Sequence, residues 1–71
     1  MPDEIKAHIT GVVFQIVAKA GDRVAEGDAV IVLESMKMEI PVEAPRDGAV
    51  KEIRVREGQT VQEGDVVALL E

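Results

Sequence analysis

The apolar residues of this chain are spaced as in β-strands. In the stretch KEIRVR, Ile53 and Val55 alternate with charged neighbours, which is the period of a strand with one buried face. The runs AVIVLE and VVALLE are apolar, rich in β-branched residues and short, as expected for buried strands. The segments VAEGD and VQEGD are cut short by glycine before a helix could form. The pattern therefore predicts an all-β protein.

Eight short strands account for the apolar positions, four in each half of the chain. They are predicted at residues 5–10, 12–18, 23–24, 29–34, 38–42, 49–56, 60–61 and 66–70. Pro41 and Pro45 cannot donate ladder hydrogen bonds, so they indicate a strand edge or the link between the halves. Strands this short cannot each bury a face alone. The predicted fold is a flattened β-barrel or sandwich of two four-stranded antiparallel sheets, a barrel-sandwich hybrid.

The two halves are copies of one unit. When the chain is shifted by 37 positions, GVVFQIVAKAGDRVAEGDAVIVLE falls on GAVKEIRVREGQTVQEGDVVALLE, and 11 of the 24 aligned positions are identical. All six glycines take part, as the pairs Gly11/Gly48, Gly21/Gly58 and Gly27/Gly64. The repeat halves cover about residues 5–34 and 42–71. This duplication predicts quasi-two-fold symmetry within a single domain of residues 1–71.

A departure from the strand period occurs at the same place in both copies. Val13 and Ile16 are three residues apart, and so are Val50 and Ile53, whereas a regular strand turns the same face inward at every second residue. One extra residue in each strand would restore the phase. A β-bulge or a sharp local twist is therefore expected near the start of both strands.

Composition narrows the functions open to a chain of 71 residues. Acidic residues outnumber basic ones by 14 to 8, and the resulting formal charge of −6 repels phosphate backbones. His8 is the one histidine and cysteine is absent, so neither a metal site nor a catalytic Ser-His-acid set is visible. No apolar run approaches the roughly 20 residues of a membrane span, and the start lacks a signal-peptide pattern. The composition predicts a cytoplasmic protein that is not an enzyme by itself and binds neither nucleic acid nor membrane.

The segment ESMKMEI is the part of the chain that the repeat does not explain. Glu34 aligns with Glu71, so the residues after Glu34 have no counterpart in the second copy. They fall where a hairpin must turn, and a two-residue turn favours Asn-Gly because both central positions can need positive φ. Here those positions are Met36 and Lys37. A turn forced through them stores backbone strain, which tends to persist at functional sites.

Most lysines on surface turns are simply solvated, but the neighbours of Lys37 are unusual. Apart from Met1, the methionines of the chain are Met36 and Met38, one on either side of the lysine. At an exposed turn they present flexible apolar surface that core packing does not require. We therefore interpret the hairpin, residues 34–39, as a surface that a second protein recognises.

ESMKMEI resembles the attachment motif of biotinyl domains, in which a lysine between two methionines lies at a hairpin tip. The resemblance extends from about residue 5 to residue 71 and includes the duplicated Gly-x-x-Val-x-x-Gly-Asp unit of biotinyl and lipoyl domains. It implies that Lys37 carries covalent biotin and that Met36 and Met38 are recognised by a biotin protein ligase. The weaker contacts of that ligase implied by the resemblance are Glu34, Ser35 and Glu39.

The resemblance also implies a carrier without catalysis of its own. Biotin on the lysine would carry an activated carboxyl group between a biotin carboxylase and a carboxyltransferase, as in acetyl-CoA carboxylase and related enzymes. Because the arm tethers the group near both active sites, each transfer becomes nearly intramolecular. The chain is therefore expected to be a biotin carboxyl carrier, and its partners are expected to be these two enzymes and the ligase.

Two features depart from the common pattern of biotinyl domains. Ser35 stands where alanine is common, which is similar to small stand-alone biotin/lipoyl attachment proteins and leaves a lipoyl carrier as an alternative. Residues 11–33 have no room for the thumb loop of some bacterial carriers, so the chain resembles thumbless domains at the ends of longer carboxylases. The initial methionine and complete repeat favour a free-standing protein. A non-acylated interaction module of the same fold is the other alternative, although it would not need the Met-Lys-Met tip.

Overall fold

The computed structural model describes residues 3–71, which form eight β-strands. They are β1 (Asp3–Lys6), β2 (Gly11–Ile16), β3 (Arg23–Val24), β4 (Ala29–Ser35), β5 (Met38–Glu43), β6 (Gly48–Ile53), β7 (Thr60–Val61) and β8 (Val66–Leu70). All strand pairings are antiparallel, and the strands form two four-stranded sheets. The predicted fold class is confirmed. Residues 3–71 contain no helix that could cross a membrane, and the first two residues of the predicted 1–71 domain lie outside the described part.

Each sheet contains strands from both repeats. The strand order is β1-β8-β6-β3 in one sheet and β5-β4-β2-β7 in the other. A shift of 37 positions takes β1 to β5, β2 to β6, β3 to β7 and β4 to β8, and it therefore maps one sheet onto the other. The predicted quasi-two-fold symmetry thus involves an exchange of strands. In each sheet the two inner strands come from one repeat and the two outer strands come from the other. Neither repeat forms a sheet by itself.

The core lies between the sheets and consists of small aliphatic side chains. The largest fully buried side chains are Ile31, Leu33, Leu70, Val13, Val30, Val42, Val61 and Val67. Burial of one side chain of this size contributes roughly 1.5–3 kcal/mol. A slip of one residue in the pairing of a strand would turn its buried set to the solvent. The core therefore fixes the strand register.

A β-bulge occurs at the same place in both repeats. The register shifts between Val13 and Gln15 in the pairing of β2 with β4, and between Val50 and Glu52 in the pairing of β6 with β8. In β2 the extra residue is Phe14, which is exposed, while Val13 is buried. The bulges predicted from the three-residue spacing are confirmed, because one extra residue separates the inward-facing side chains.

The first predicted strand, at residues 5–10, is wrong in its bounds. The pairing of β1 with β8 becomes irregular between Ile5 and Lys6. The chain then leaves the sheet, and the N–H of Ala7 donates to the carbonyl of Asp65 at 2.9 Å. A loop contact with a distant residue thus ends the strand where the apolar pattern alone suggested that it continues.

The strands predicted at residues 12–18 and 49–56 also end early, at Ile16 and Ile53. After β2 the N–H groups of Val17 and Ala18 both donate to the carbonyl of Val30, at 2.9 and 3.1 Å, so the regular ladder stops there. The other predicted strands agree with the structure to within one residue. As predicted for a proline that donates no ladder bond, Pro41 lies in β5, which is an edge strand.

Arg46 joins three parts of the chain at the end where the termini meet. Asp3 pairs with Leu70, so β1 and β8 bring the two ends together. The Arg46 guanidinium forms an ion pair with the Asp3 carboxylate and donates to the carbonyls of Asp47 and Glu71, both at 2.9 Å. This side chain therefore connects the first strand, the link between the repeats and the last residue.

Replacing Arg46 by alanine is expected to lower the free energy of unfolding by about 1 kcal/mol, because charge-assisted hydrogen bonds are lost from a partly solvated side chain. The midpoint of urea unfolding measures the loss. The matched control is Arg54→Ala, which removes an exposed ion pair with Glu52 at 3.7 Å and is expected to change stability by less than about 0.5 kcal/mol. Equal losses in the two variants would contradict the role of Arg46.

Candidate functional site

The hairpin of β4 and β5 places Lys37 at its tip. The two strands pair up to Ser35 and Met38, which leaves Met36 and Lys37 as the central residues of the turn. Their φ angles are 53° and 66°. Positive φ at both central positions of a two-residue loop is the signature of a type I′ turn, whose twist matches that of the flanking strands. The turn thus has the geometry expected from the spacing of the strands.

The left-handed backbone of this turn is unfavourable for its residues. Side chains other than glycine, asparagine and aspartate rarely adopt such φ values, at a cost of about 1–2 kcal/mol per residue. Among residues 3–71, positive φ outside glycine occurs at Met36 and Lys37 alone. The strand register imposes it, since Leu33 and Val42 on the two strands are buried in the core. The packed base of the hairpin therefore holds a turn that its own residues disfavour.

Gly11 brings β2 close to the hairpin backbone at Glu34 and Ser35, next to the tip. A Cβ on Gly11 would lie 2.7 Å from the backbone oxygen of Glu34 and 3.5 Å from the Cβ of Ser35. A side chain at this position would therefore have to displace the hairpin backbone. At the repeat mate Gly48, the atom at 2.7 Å is the end of the Arg46 side chain. Gly11 is not among the site residues predicted from the sequence. Among the six paired glycines, close approach applies to Gly11 and Gly48, whereas the other four have positive φ and no atom within 4 Å of an added Cβ.

The side chains around Lys37 extend into the solvent. Met36 is 92% exposed and Met38 is 63% exposed, so neither contributes much to the core. Lys37, Glu34 and Glu39 are exposed as well, and Ser35 is half-buried. The structure thus brings all six predicted site residues together in one hairpin. Their roles in attachment and in recognition stay predictions.

A pair of carboxylates lies beside the lysine. Glu34 and Glu39 are directly opposite each other on β4 and β5. Like charges at opposed positions destabilise a sheet. None of the ion pairs formed among residues 3–71 involves either of these two. The hairpin therefore presents concentrated negative charge that suits a cationic partner surface.

Comparison with known families agrees with this geometry. The family described as "Biotin-requiring enzyme" matches residues 1–70. The chain belongs to this family. The prediction of a biotinyl domain that acts as a biotin carboxyl carrier, with covalent biotin as its cofactor, is thereby confirmed.

Two relatives show where such domains occur. The chain is 48% identical over 44 residues to "Biotinylated protein TB7.3 homolog" of Mycolicibacterium smegmatis, with 62% of each chain covered. It is 49% identical over 45 residues to "Methylcrotonoyl-CoA carboxylase subunit alpha, mitochondrial" of Rattus norvegicus, which covers 63% of this chain and 6% of that protein. The chain thus spans less than two thirds of the length of both relatives.

A solved structure gives the same fold over the whole chain. The urea carboxylase of Kluyveromyces lactis matches with a TM-score of 0.95 and 37% identity, over 100% of this chain and 6% of that protein. A domain of this size and topology therefore occurs within a much longer carboxylase.

Replacing Met36 by asparagine is expected to stabilise the fold by about 0.5–1 kcal/mol. Asparagine adopts φ near 53° more readily, and the exposed methionine makes no core contact that would be lost. Urea unfolding measures the gain. Met36→Ala is the matched control, because it shortens the side chain without the left-handed preference, and no gain is expected from it. A loss of stability in the asparagine variant would show that the turn is not left-handed in solution.

Proposed function

We propose that Lys37 is the residue to which biotin is attached. The observation that supports this most directly is the type I′ turn, which holds Lys37 at positive φ between two solvent-exposed methionines. The other lysines, at positions 6, 19 and 51, all lie outside this hairpin. Lys6 forms an ion pair with Glu4 at 3.7 Å, and Lys51 follows Val50 at the bulge of β6. A ligase that recognises an apolar hairpin tip thus has one lysine of the right kind to bind.

The hairpin fits a covalently attached group. The Lys37 side chain is exposed, and Met36 before it is almost fully exposed, so a modifying enzyme can enclose the tip without opening the core. Attachment forms a bond between the lysine Nζ and the carboxyl carbon of biotin, while the bond from that carbon to the adenylate breaks. The proton of the amine passes to a base on the ligase. This chain contributes the position of the nucleophile, and the ligase contributes its activation.

When attached, biotin supplies, through its ureido group, a ring nitrogen that accepts and releases a carboxyl group. The residues of the chain hold Nζ at the end of a narrow hairpin whose base is packed into the core. The rigid base and the flexible lysine stem together limit the volume in which the end of the arm moves. The arm is thereby kept at high effective concentration near the enzymes that the carrier serves.

The carrier is proposed to serve a biotin carboxylase and a carboxyltransferase and to have no catalytic activity itself. The relatives include a methylcrotonoyl-CoA carboxylase subunit and a urea carboxylase, so the system is a carboxylase of an acyl-CoA, of the acetyl-CoA carboxylase kind, or of another small acceptor. The acceptor is bound by the carboxyltransferase and leaves no trace in this chain. A cytoplasmic location is proposed from the composition.

Co-expression with a biotin protein ligase in biotin-replete medium is expected to add one biotinyl increment to the intact mass, because one lysine lies at the recognised tip. Lys37→Arg is expected to lose the increment completely. Lys51→Arg is the matched control and should keep it, since that lysine lies elsewhere on the surface.

Two results would contradict this proposal. A lipoyl increment in place of the biotinyl one would assign the chain to lipoyl carriers. The absence of any increment in folded protein, with a ligase shown to be active on another carrier, would leave a non-acylated interaction module.

A further inference from the structure

The outer surface of the sheet β5-β4-β2-β7 has an apolar centre. Phe14 and Gln15 on the bulged strand β2 oppose Val32 on β4, and Val32 is paired with Pro41 on β5. In the next row toward the hairpin tip, Val12 is paired with Glu34. We call Val12, Phe14, Val32 and Pro41 the apolar face.

The apolar face is accessible to solvent. Phe14 is 49% exposed and Val12 is 38% exposed, while Pro41 is exposed and Val32 is half-buried. Phe14 is also the one aromatic residue of the chain. A chain with a thin aliphatic core has thus placed its largest apolar side chain on the surface. Contiguous exposed apolar residues of this kind are typical of interaction sites, where aromatic side chains often dominate the binding energy.

The quasi-symmetry provides an internal comparison. The shift of 37 positions places Ala49, Lys51, Leu69 and Glu4 of the other sheet where the apolar face has Val12, Phe14, Val32 and Pro41. The strands around these positions carry exposed ion pairs, between Glu4 and Lys6 and between Glu52 and Arg54, both at 3.7 Å.

The second sheet therefore keeps an apolar residue at the positions of Val12 and Val32, but has exposed charged residues, Lys51 and Glu4, at those of Phe14 and Pro41. Because both sheets have the same fold, folding does not require an apolar residue at the positions of Phe14 and Pro41. The difference between the two surfaces points to binding rather than to stability.

The rim of the apolar face is acidic. Glu34 and Glu39 form the row next to the hairpin tip, and Glu43 lies at the far end of β5. No ion pair among residues 3–71 involves any of the three. A second copy of the chain would bring the same carboxylates against them, so self-association through this face is disfavoured. The complementary partner has an apolar patch flanked by arginine or lysine side chains.

We propose that the apolar face docks such a basic-rimmed surface on the biotin carboxylase that loads the Lys37 arm. This inference rests on the proposed function. ATP and bicarbonate, the substrates of that enzyme, are both anions, so positive potential is expected around its active-site entrance whatever the final carboxyl acceptor is. The apolar face is continuous with the row of Glu34 and Glu39 at the hairpin. Docking through it therefore leaves the tip at the margin of the contact, where the arm can reach an active site.

The test uses the biotinylated chain as a substrate of the purified biotin carboxylase from the same organism, with ATP and bicarbonate, and measures phosphate release against carrier concentration. Phe14→Lys grafts the residue found at the quasi-equivalent position, so the fold should tolerate it. We expect about a tenfold or greater rise in KM for the carrier with kcat nearly unchanged, because docking energy is lost but the arm is intact. Lys51→Ala on the other sheet is the control and should leave KM unchanged.

Pro41→Glu grafts the residue of the quasi-equivalent position 4 and keeps the test valid if Phe14→Lys fails to fold. Rising ionic strength is expected to raise the KM of the wild type, because the acidic rim is screened. Intact mass must first show that each variant is biotinylated, so a failure of attachment at Lys37 is distinguished from a failure of docking. An unchanged KM in biotinylated, folded variants would overturn the inference. So would a wild type that forms dimers that the Phe14→Lys variant does not form.

Discussion

The burial of Ile31, Leu33 and Leu70 between two sheets of mixed origin is the constraint on which the rest of the structure depends. Each sheet has inner strands from one repeat and outer strands from the other, so the core forms only when both repeats fold together. The same burial fixes the register of β4 against β5, because a slip would expose Leu33. The register leaves two residues for the turn, and a two-residue turn between twisted strands requires positive φ. The strained tip at Lys37 is therefore a consequence of the core.

The duplicated backbone carries two different surfaces. At several positions that face the core, the two repeats have the same residue, as in the pairs Val13/Val50, Val30/Val67 and Leu33/Leu70. At some exposed positions they differ, since Phe14 corresponds to Lys51 and Pro41 to Glu4. The sheet β5-β4-β2-β7 ends in the Met-Lys-Met tip, carries opposed carboxylates in the row next to the tip, and holds Phe14 outside the core. The repeat thus provides one frame with two different outer surfaces, and the proposed docking face lies on the sheet that carries Lys37.

Much of this could be predicted from the sequence because the signals are local or repetitive. The three-residue spacing between Val13 and Ile16 predicted the bulge. The segment after Glu34, which the repeat does not explain, predicted the hairpin tip. What the sequence did not show is the pairing of distant segments. The end of β1 depends on a hydrogen bond between Ala7 and Asp65, and the approach of Gly11 to the hairpin backbone depends on how β2 lies beside β4. The exchange of strands between repeats could not be predicted either. Sheets formed within one repeat and sheets formed from both repeats would satisfy the same alternation of apolar residues.

We propose that the second position of the turn, occupied by Lys37, determines where the carrier is modified, and that exposure of a lysine is not sufficient. The double variant Met36→Lys/Lys37→Met moves the lysine by one residue within the same left-handed, exposed turn. Intact mass after co-expression with the ligase, supported by circular dichroism to show that the fold is kept, tests the claim directly. We predict no biotinyl increment, because the amine no longer lies at the second turn position between two methionines. Full biotinylation of the folded double variant would contradict the account.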